Sequence, residues 1–106
     1  MSDKEFSKFL EVHGFVACPR HSLPEEGMAS RVDAFVNENV LLRLVVDRGQ
    51  RFIELARLGT DKWIDIFTLA SSVDNSFRVR TGSFTEATQV LSKYWPQFVL
   101  RLRDKH

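Results

Sequence analysis

Residues 31–57 read RVDAFVNENVLLRLVVDRGQRFIELAR, and this stretch decides the fold. Three segments rich in β-branched and aromatic residues, Arg31–Val36, Val40–Asp47 and Gln50–Arg57, are separated by turn chemistry. Arg48-Gly49 forms a two-residue hairpin loop, with glycine where a positive φ is needed. That loop pairs Asp47 with Gln50, Val45 with Phe52, Leu44 with Ile53, Arg43 with Glu54 and Leu42 with Leu55. The earlier turn, Asn37-Glu38-Asn39, allows two registers. A two-residue loop at Glu38-Asn39 sets Asp33 opposite Leu44, a charge on the apolar face. A three-residue loop with Asn39 left-handed sets Asp33 opposite Arg43 and Ala34 opposite Leu42. The second is preferred, because a slip of one residue turns every side chain to the other face.

The preferred register gives a three-stranded meander with two distinct faces. Val32, Ala34, Val36, Leu42, Leu44, Val46, Ile53 and Leu55 form the expected core face. The opposite face carries a cross-strand row of Asp33, Arg43 and Glu54, flanked by Phe35, Leu41, Val45 and Phe52. Opposite charges paired across strands each add roughly 0.2–1 kcal/mol.

On the N-terminal side, Phe6, Phe9, Leu10 and His13 recur at helical spacing, so residues 3–13 read as a helix. Ser2 or Asp3 can cap its start and Gly14 its end. Residues 14–29 are irregular, punctuated by Pro19, Pro24 and Gly27. On the C-terminal side, Gly59-Thr60-Asp61 closes the sheet. Residues 61–73 fit a helix capped by Asp61, which is preferred, or a short strand over Trp63-Ile64-Asp65-Ile66-Phe67 followed by a helix. Residues 76–80 alternate and suggest a short edge strand. Ser83-Phe84-Thr85-Glu86 is a capping box. It opens a last helix whose apolar stripe is Phe84, Ala87, Leu91, Tyr94, Trp95, Phe98 and Leu102. Pro96 either kinks that helix or restarts it from its first turn. The chain thus reads as a single α+β domain over residues 1–106. A three- or four-stranded antiparallel meander is packed on one face by the N-terminal and C-terminal helices.

Composition agrees with one soluble globular domain: 106 residues, 43% apolar and 27% charged. A chain of this size buries roughly two-thirds of its extended surface. No apolar run is long enough to span a membrane, and the polar start Met1-Ser2-Asp3-Lys4-Glu5 does not read as a signal peptide. The single Cys18 excludes an internal disulfide and fits a reducing compartment. Together these point to a cytoplasmic protein with no membrane partner. Net charge is +1, unevenly spread. Residues 1–39 hold four Lys/Arg against seven acids, and residues 76–106 hold six Lys/Arg against two. Such asymmetry can steer a charged partner, although a solvated basic helix explains it as well.

No residue set spells a reaction. His13, Cys18 and His21 are metal-ligand types at His-x4-Cys-x2-His spacing but lack a fourth ligand. Cys18 with His21 lacks an orienting partner and an oxyanion site. Asp61 and Asp65 are better explained as complements to a helix dipole than as an acid–base pair. The five glycines are scattered at element ends and make no phosphate loop. The expectation is therefore a non-enzyme with no metal and no cofactor.

The face with Asp33, Phe35, Arg43, Val45, Phe52 and Glu54 stands out. It is too apolar for an ordinary wet face and too charged for a core. Aromatic anchors within a charged frame suit a partner-binding surface; the alternative is that residues 14–29 or a chain end fold over it. With those residues in view, the chain resembles the small immunity proteins of bacterial polymorphic toxin systems. The resemblance rests on a short N-terminal helix and a meander containing Val45-Val46-Asp47-Arg48-Gly49-Gln50-Arg51-Phe52-Ile53-Glu54-Leu55. A Trp63-Ile64-Asp65 element leading into helices completes it, and it spans roughly residues 30–100. It implies a non-enzymatic protein that binds and neutralises one cognate toxin and so protects the producing cell. The near-neutral charge departs from the acidic character common among immunity proteins against nucleases. Two other classes stay open. One is a nucleic-acid-binding module using Arg78, Arg80, Lys93, Arg101 and Arg103, disfavoured by the sparse basic stripe. The other is an effector-specific chaperone or adaptor.

Overall fold

The computed structural model describes residues 2–19 and 31–103. Helix α1, Ser2–Val12, ends in a hydrogen-bonded glycine cap. Gly14 takes φ +72°, its N–H donates to the Glu11 carbonyl at 3.2 Å, and Phe15 N–H reaches the Leu10 carbonyl at 2.9 Å. Phe15 then stacks on Phe9, the apolar contact that accompanies this cap. Strand β1, Val16–Ala17, follows directly. It pairs with β2, Arg31–Val36, and lies within the stretch the sequence marks as irregular. Strands β3, Val40–Asp47, and β4, Gln50–Arg57, continue the meander, and β5, Ile64–Asp65, completes it. All neighbours are antiparallel, in the order β1-β2-β3-β4-β5. The sheet therefore has five strands, two of them too short for alternation to reveal.

The β3–β4 register is the one expected from the Arg48-Gly49 loop, with Arg48 at φ +53° and Gly49 at φ +80°. The β2–β3 register is not. Asp33 lies opposite Leu44, Ala34 opposite Arg43 and Phe35 opposite Leu42, which corresponds to the two-residue loop. The cause is the Asn37 side chain. Its Oδ1 accepts from Asn39 N–H at 2.8 Å and Val40 N–H at 2.9 Å. This Asx-type closure leaves Asn39 without the left-handed backbone that the longer loop requires. Asn37 Nδ2 also donates to the His13 carbonyl at 2.9 Å, tying the hairpin to the end of α1.

Helix α2, Ile66–Val73, is capped by Asp65, whose carboxylate accepts from Phe67 N–H at 2.9 Å and Thr68 N–H at 3.4 Å. Asp61 is thus not the cap, and the strand-then-helix reading of residues 61–73 is the observed one. Residues 76–80 form no strand. Phe77 instead stacks on Phe67 at 6.3 Å and meets Tyr94 edge-on at 5.9 Å. Ring packing accounts for its place better than sheet pairing does. Helix α3, Phe84–Lys93, is capped by Ser83, which accepts from Glu86 N–H at 3.1 Å. Helix α4, Trp95–Arg103, restarts with Pro96 in its first turn, where a missing N–H costs nothing.

The helices cover one face of the sheet. Phe6 and Phe9 from α1, Leu69 from α2, Leu91 from α3 and Phe98 from α4 meet Leu42, Ile53 and Leu55 there. Each such side chain, fully buried, contributes on the order of 1.5–3 kcal/mol. Phe6 meets Phe84 edge-on at 5.4 Å and Phe9 meets Trp95 at 5.1 Å, so aromatic edges join α1 to the C-terminal helices. The helical stripe from Phe84 to Leu102 is buried throughout as the spacing requires.

Candidate interaction surface

Residues paired across antiparallel strands point to the same side, so the register assigns the faces. Phe35 follows Leu42 onto the helix side, where its ring lies 6.4 Å from that of Phe6. Asp33 follows Leu44 to the same side. There Arg31 Nε sits 2.8 Å from its carboxylate, and the side chain keeps 34% exposure. Neutralisation and residual solvation let a charge stand beside Leu44. Asp33 and Phe35 therefore do not belong to the outer face, and the expected three-residue ionic row is a two-residue pair. Val32, Ala34 and Val36, expected in the helix-packed core, point outward instead.

The outer face comprises those three β2 residues, Leu41, Arg43 and Val45 from β3, and Phe52, Glu54 and Ala56 from β4. Val32, Ala34, Leu41 and Ala56 are buried, yet none joins the helix-packed cluster. This face is thus apolar at its β2 side in its own right, which explains why alternation misjudged the register. Arg43 Nε lies 2.6 Å from Glu54 Oε1, with side-chain exposures of 14% and 23%. The Trp63 ring covers the guanidinium at 4.4 Å from its centroid. Val45 and Phe52 form the adjoining cross-strand pair, both half-buried and both outside the helix-packed cluster.

Trp63 is the member that sequence reasoning missed. The pairing of Ile64 with Leu55 and Asp65 with Glu54 fixes β5 against β4. A strand continuing one residue earlier puts Trp63 on the side of Glu54 and Arg43. The signal for it is the alternative reading of Trp63-Ile64-Asp65-Ile66-Phe67 as a short strand before a helix. Asp65 shares the face with Glu54, but its carboxylate serves the α2 cap. Arg43 therefore answers Glu54.

Arg78, Arg80 and Lys93 border a groove of about 280 Å³ between residues 74–80 and α3. Arg101 and Arg103 sit in the last turn of α4, where cations complement the helix dipole. The structure thus separates these five cations into two groups. Two carboxylates brace the loop beside the groove. Asp74 is held well below the ordinary range, to about 2, first by the Tyr94 hydroxyl and then by Ser76. Glu86 falls to about 2 through the backbone N–H groups of Arg80, Thr81 and Gly82. Tyr94 is pushed upward by its bond to Asp74.

The His13 ring packs at a tilt against Phe9, 4.3 Å between centroids, and against Trp95, 5.1 Å, and burial lowers its pKa. The Cys18 N–H donates to the Ala34 carbonyl at 2.8 Å, continuing the β1–β2 pairing. His21 lies outside the described residues. Among the described residues no cluster of His, Cys, Asp or Glu could hold a metal, and no helix is long and apolar enough to cross a membrane. No protein-family model, curated protein or solved structure matches this chain.

Proposed function

We propose that this chain is an immunity protein that binds and neutralises a toxin polypeptide in the cytoplasm of the producing cell, without catalysis of its own. Binding uses the outer sheet face centred on Arg43, Val45, Phe52 and Glu54, with Trp63 joining them. One observation carries this reading: a sheltered, aromatic-covered ion pair beside half-buried apolar side chains, on the side of a three-strand scaffold that the helix core does not use. Such a mixture supplies anchors for affinity and charges for specificity. A toxin complex on this face buries at least ~1,200 Å² in total.

Co-expression with the protein encoded immediately upstream tests the reading through growth rescue and co-purification. Alanine at Phe52 and Arg43 together abolishes both, and Glu54→Arg weakens both. Intact neutralisation by the double alanine variant removes the face from consideration. A partner that co-purifies but keeps its activity makes the chain a chaperone rather than an inhibitor.

A further inference from the structure

The loop between α2 and α3 is irregular yet fixed with unusual thoroughness. At its start, the Asp74 carboxylate accepts from the Tyr94 hydroxyl at 2.6 Å, Ser76 N–H at 2.9 Å and Ser76 Oγ at 2.7 Å. At its end, the Glu86 carboxylate accepts from Arg80 N–H at 2.8 Å, Thr81 N–H at 2.7 Å and Gly82 N–H at 2.8 Å. In the middle, Phe77 is held between Phe67 and Tyr94. What this frame presents outward is Arg78-Val79-Arg80, all exposed, with Val79 49% accessible. Arg78 is itself positioned, since Nη1 donates to the Asn75 carbonyl at 2.9 Å and the Phe77 carbonyl at 2.7 Å. The Arg80 guanidinium makes no ion pair or hydrogen bond among the described residues. Lys93 faces them across the groove, its ammonium 5.3 Å from the Tyr94 ring.

We infer that this groove is a docking site for an acidic polypeptide segment, one whose carboxylates flank an apolar side chain. Arg78, Arg80 and Lys93 take the carboxylates, and the half-buried Phe77 ring in the groove wall takes the apolar group. Unpaired arginines on a mobile loop would lose entropy on binding, whereas here the loop is ordered beforehand. Arginine's planar fork suits carboxylates in two-point contact. The same groove is poor for a nucleic-acid backbone. Asp74 and Glu86 lie in its wall, so a ligand must set its anionic groups on Arg78, Arg80 and Lys93 and clear of these two, which separate side chains on a peptide can do and an evenly charged phosphate chain cannot. The surface is distinct from the outer sheet face and stands independently of the toxin reading.

Titration of the isotope-labelled full chain at low salt, followed by amide chemical shifts, tests this. The probes are acetyl-EDLEDE-amide, its uncharged counterpart acetyl-QNLQNQ-amide and an eight-residue oligothymidylate. The acidic peptide produces saturable shifts within residues 76–82 and 89–93, and the uncharged peptide binds at least tenfold more weakly. Arg80→Glu and Lys93→Glu each weaken the acidic peptide at least tenfold, with signals elsewhere unmoved as evidence of an intact fold. Absence of saturable shifts, equal binding of the uncharged peptide, or tighter binding of the oligothymidylate at these residues overturns the inference. Insensitivity to both charge reversals does so too.

Discussion

Breaking the Arg43–Glu54 pair by removing one partner is more damaging than removing both. Nε and Oε1 stand 2.6 Å apart, and the side chains keep only 14% and 23% exposure. That is intermediate between exposed pairs, worth ~0–1 kcal/mol, and buried ones, where deleting one partner costs about 3–5 kcal/mol. Glu54→Leu leaves a sheltered guanidinium under the Trp63 ring with no counter-charge, and costs ~2 kcal/mol. Arg43→Met strands the carboxylate and also loses the cation–ring contact, itself worth ~0.5–1 kcal/mol, for a total of ~2–3 kcal/mol. The double variant replaces the pair by apolar groups on a face already carrying Leu41, Val45 and Ala56. It falls within ~1 kcal/mol of the parent, leaving a coupling energy of about 3–5 kcal/mol. Urea unfolding of the four proteins supplies the cycle. Each kcal/mol corresponds to roughly 4–8 °C in Tm, so thermal melts provide a second reading. Single-variant losses that sum to the double-variant loss within ~0.5 kcal/mol would refute the reasoning. They would mean that the pair is solvated and that the face is wet. The well-folded double variant then tests the proposed function directly: on the reading proposed above it loses neutralisation while keeping its structure.

Asn37→Ala removes the oxygen that accepts two hydrogen bonds and the donor to the His13 carbonyl and costs ~2 kcal/mol in urea unfolding, while Asn37→Asp, which retains the acceptor but loses that donor, costs less. His13 has a pKa below 6.5 in the fold because burial penalises its cation. Its contribution is complete above pH 6.5 and is lost as pH falls through 6.5 toward the folded value, so the urea midpoint drops from pH 7.5 to 5.5 and His13→Phe flattens that slope. Glu86 and Asp74 titrate near 2 when folded, against 4.5 and 3.8. Their contribution is present above those ordinary values and is lost as pH falls from about 4.5 to 2, and Glu86→Gln reduces the acid sensitivity of the melt over that window.

Much of the fold was legible because local rules acted alone. Gly14 stops α1, Arg48-Gly49 sets the central hairpin, Ser83 caps α3 and Pro96 opens α4. The β2–β3 register was not legible, because it depends on a side chain mimicking a backbone turn and on a second apolar face. With Val32 and Ala34 buried outside the helix core, alternation has two acceptable phases, and a charge pair between Asp33 and Arg43 looked decisive when it was not. That one slip accounts for the displacement of Asp33 and Phe35 from the candidate site. Arg43, Val45, Phe52 and Glu54 share the expected outer face because their placement depends only on the β3–β4 hairpin. Trp63 was hidden behind β5, whose two residues carry no periodicity and become visible only once β4 exists to receive them.

The terminal strands have a consequence for solubility. A β-rich chain is at risk wherever a long, flat margin can recruit another copy. Here β1 and β5 hold two residues each, so each rim of the sheet offers too short a template for a stable polymer. The part of β4 that β5 leaves uncovered begins with Gln50 and Arg51, and the Arg51 guanidinium is drawn back over Phe84 and onto Asp3. A charge held at that rim discourages the edge-to-edge stacking of one copy on another.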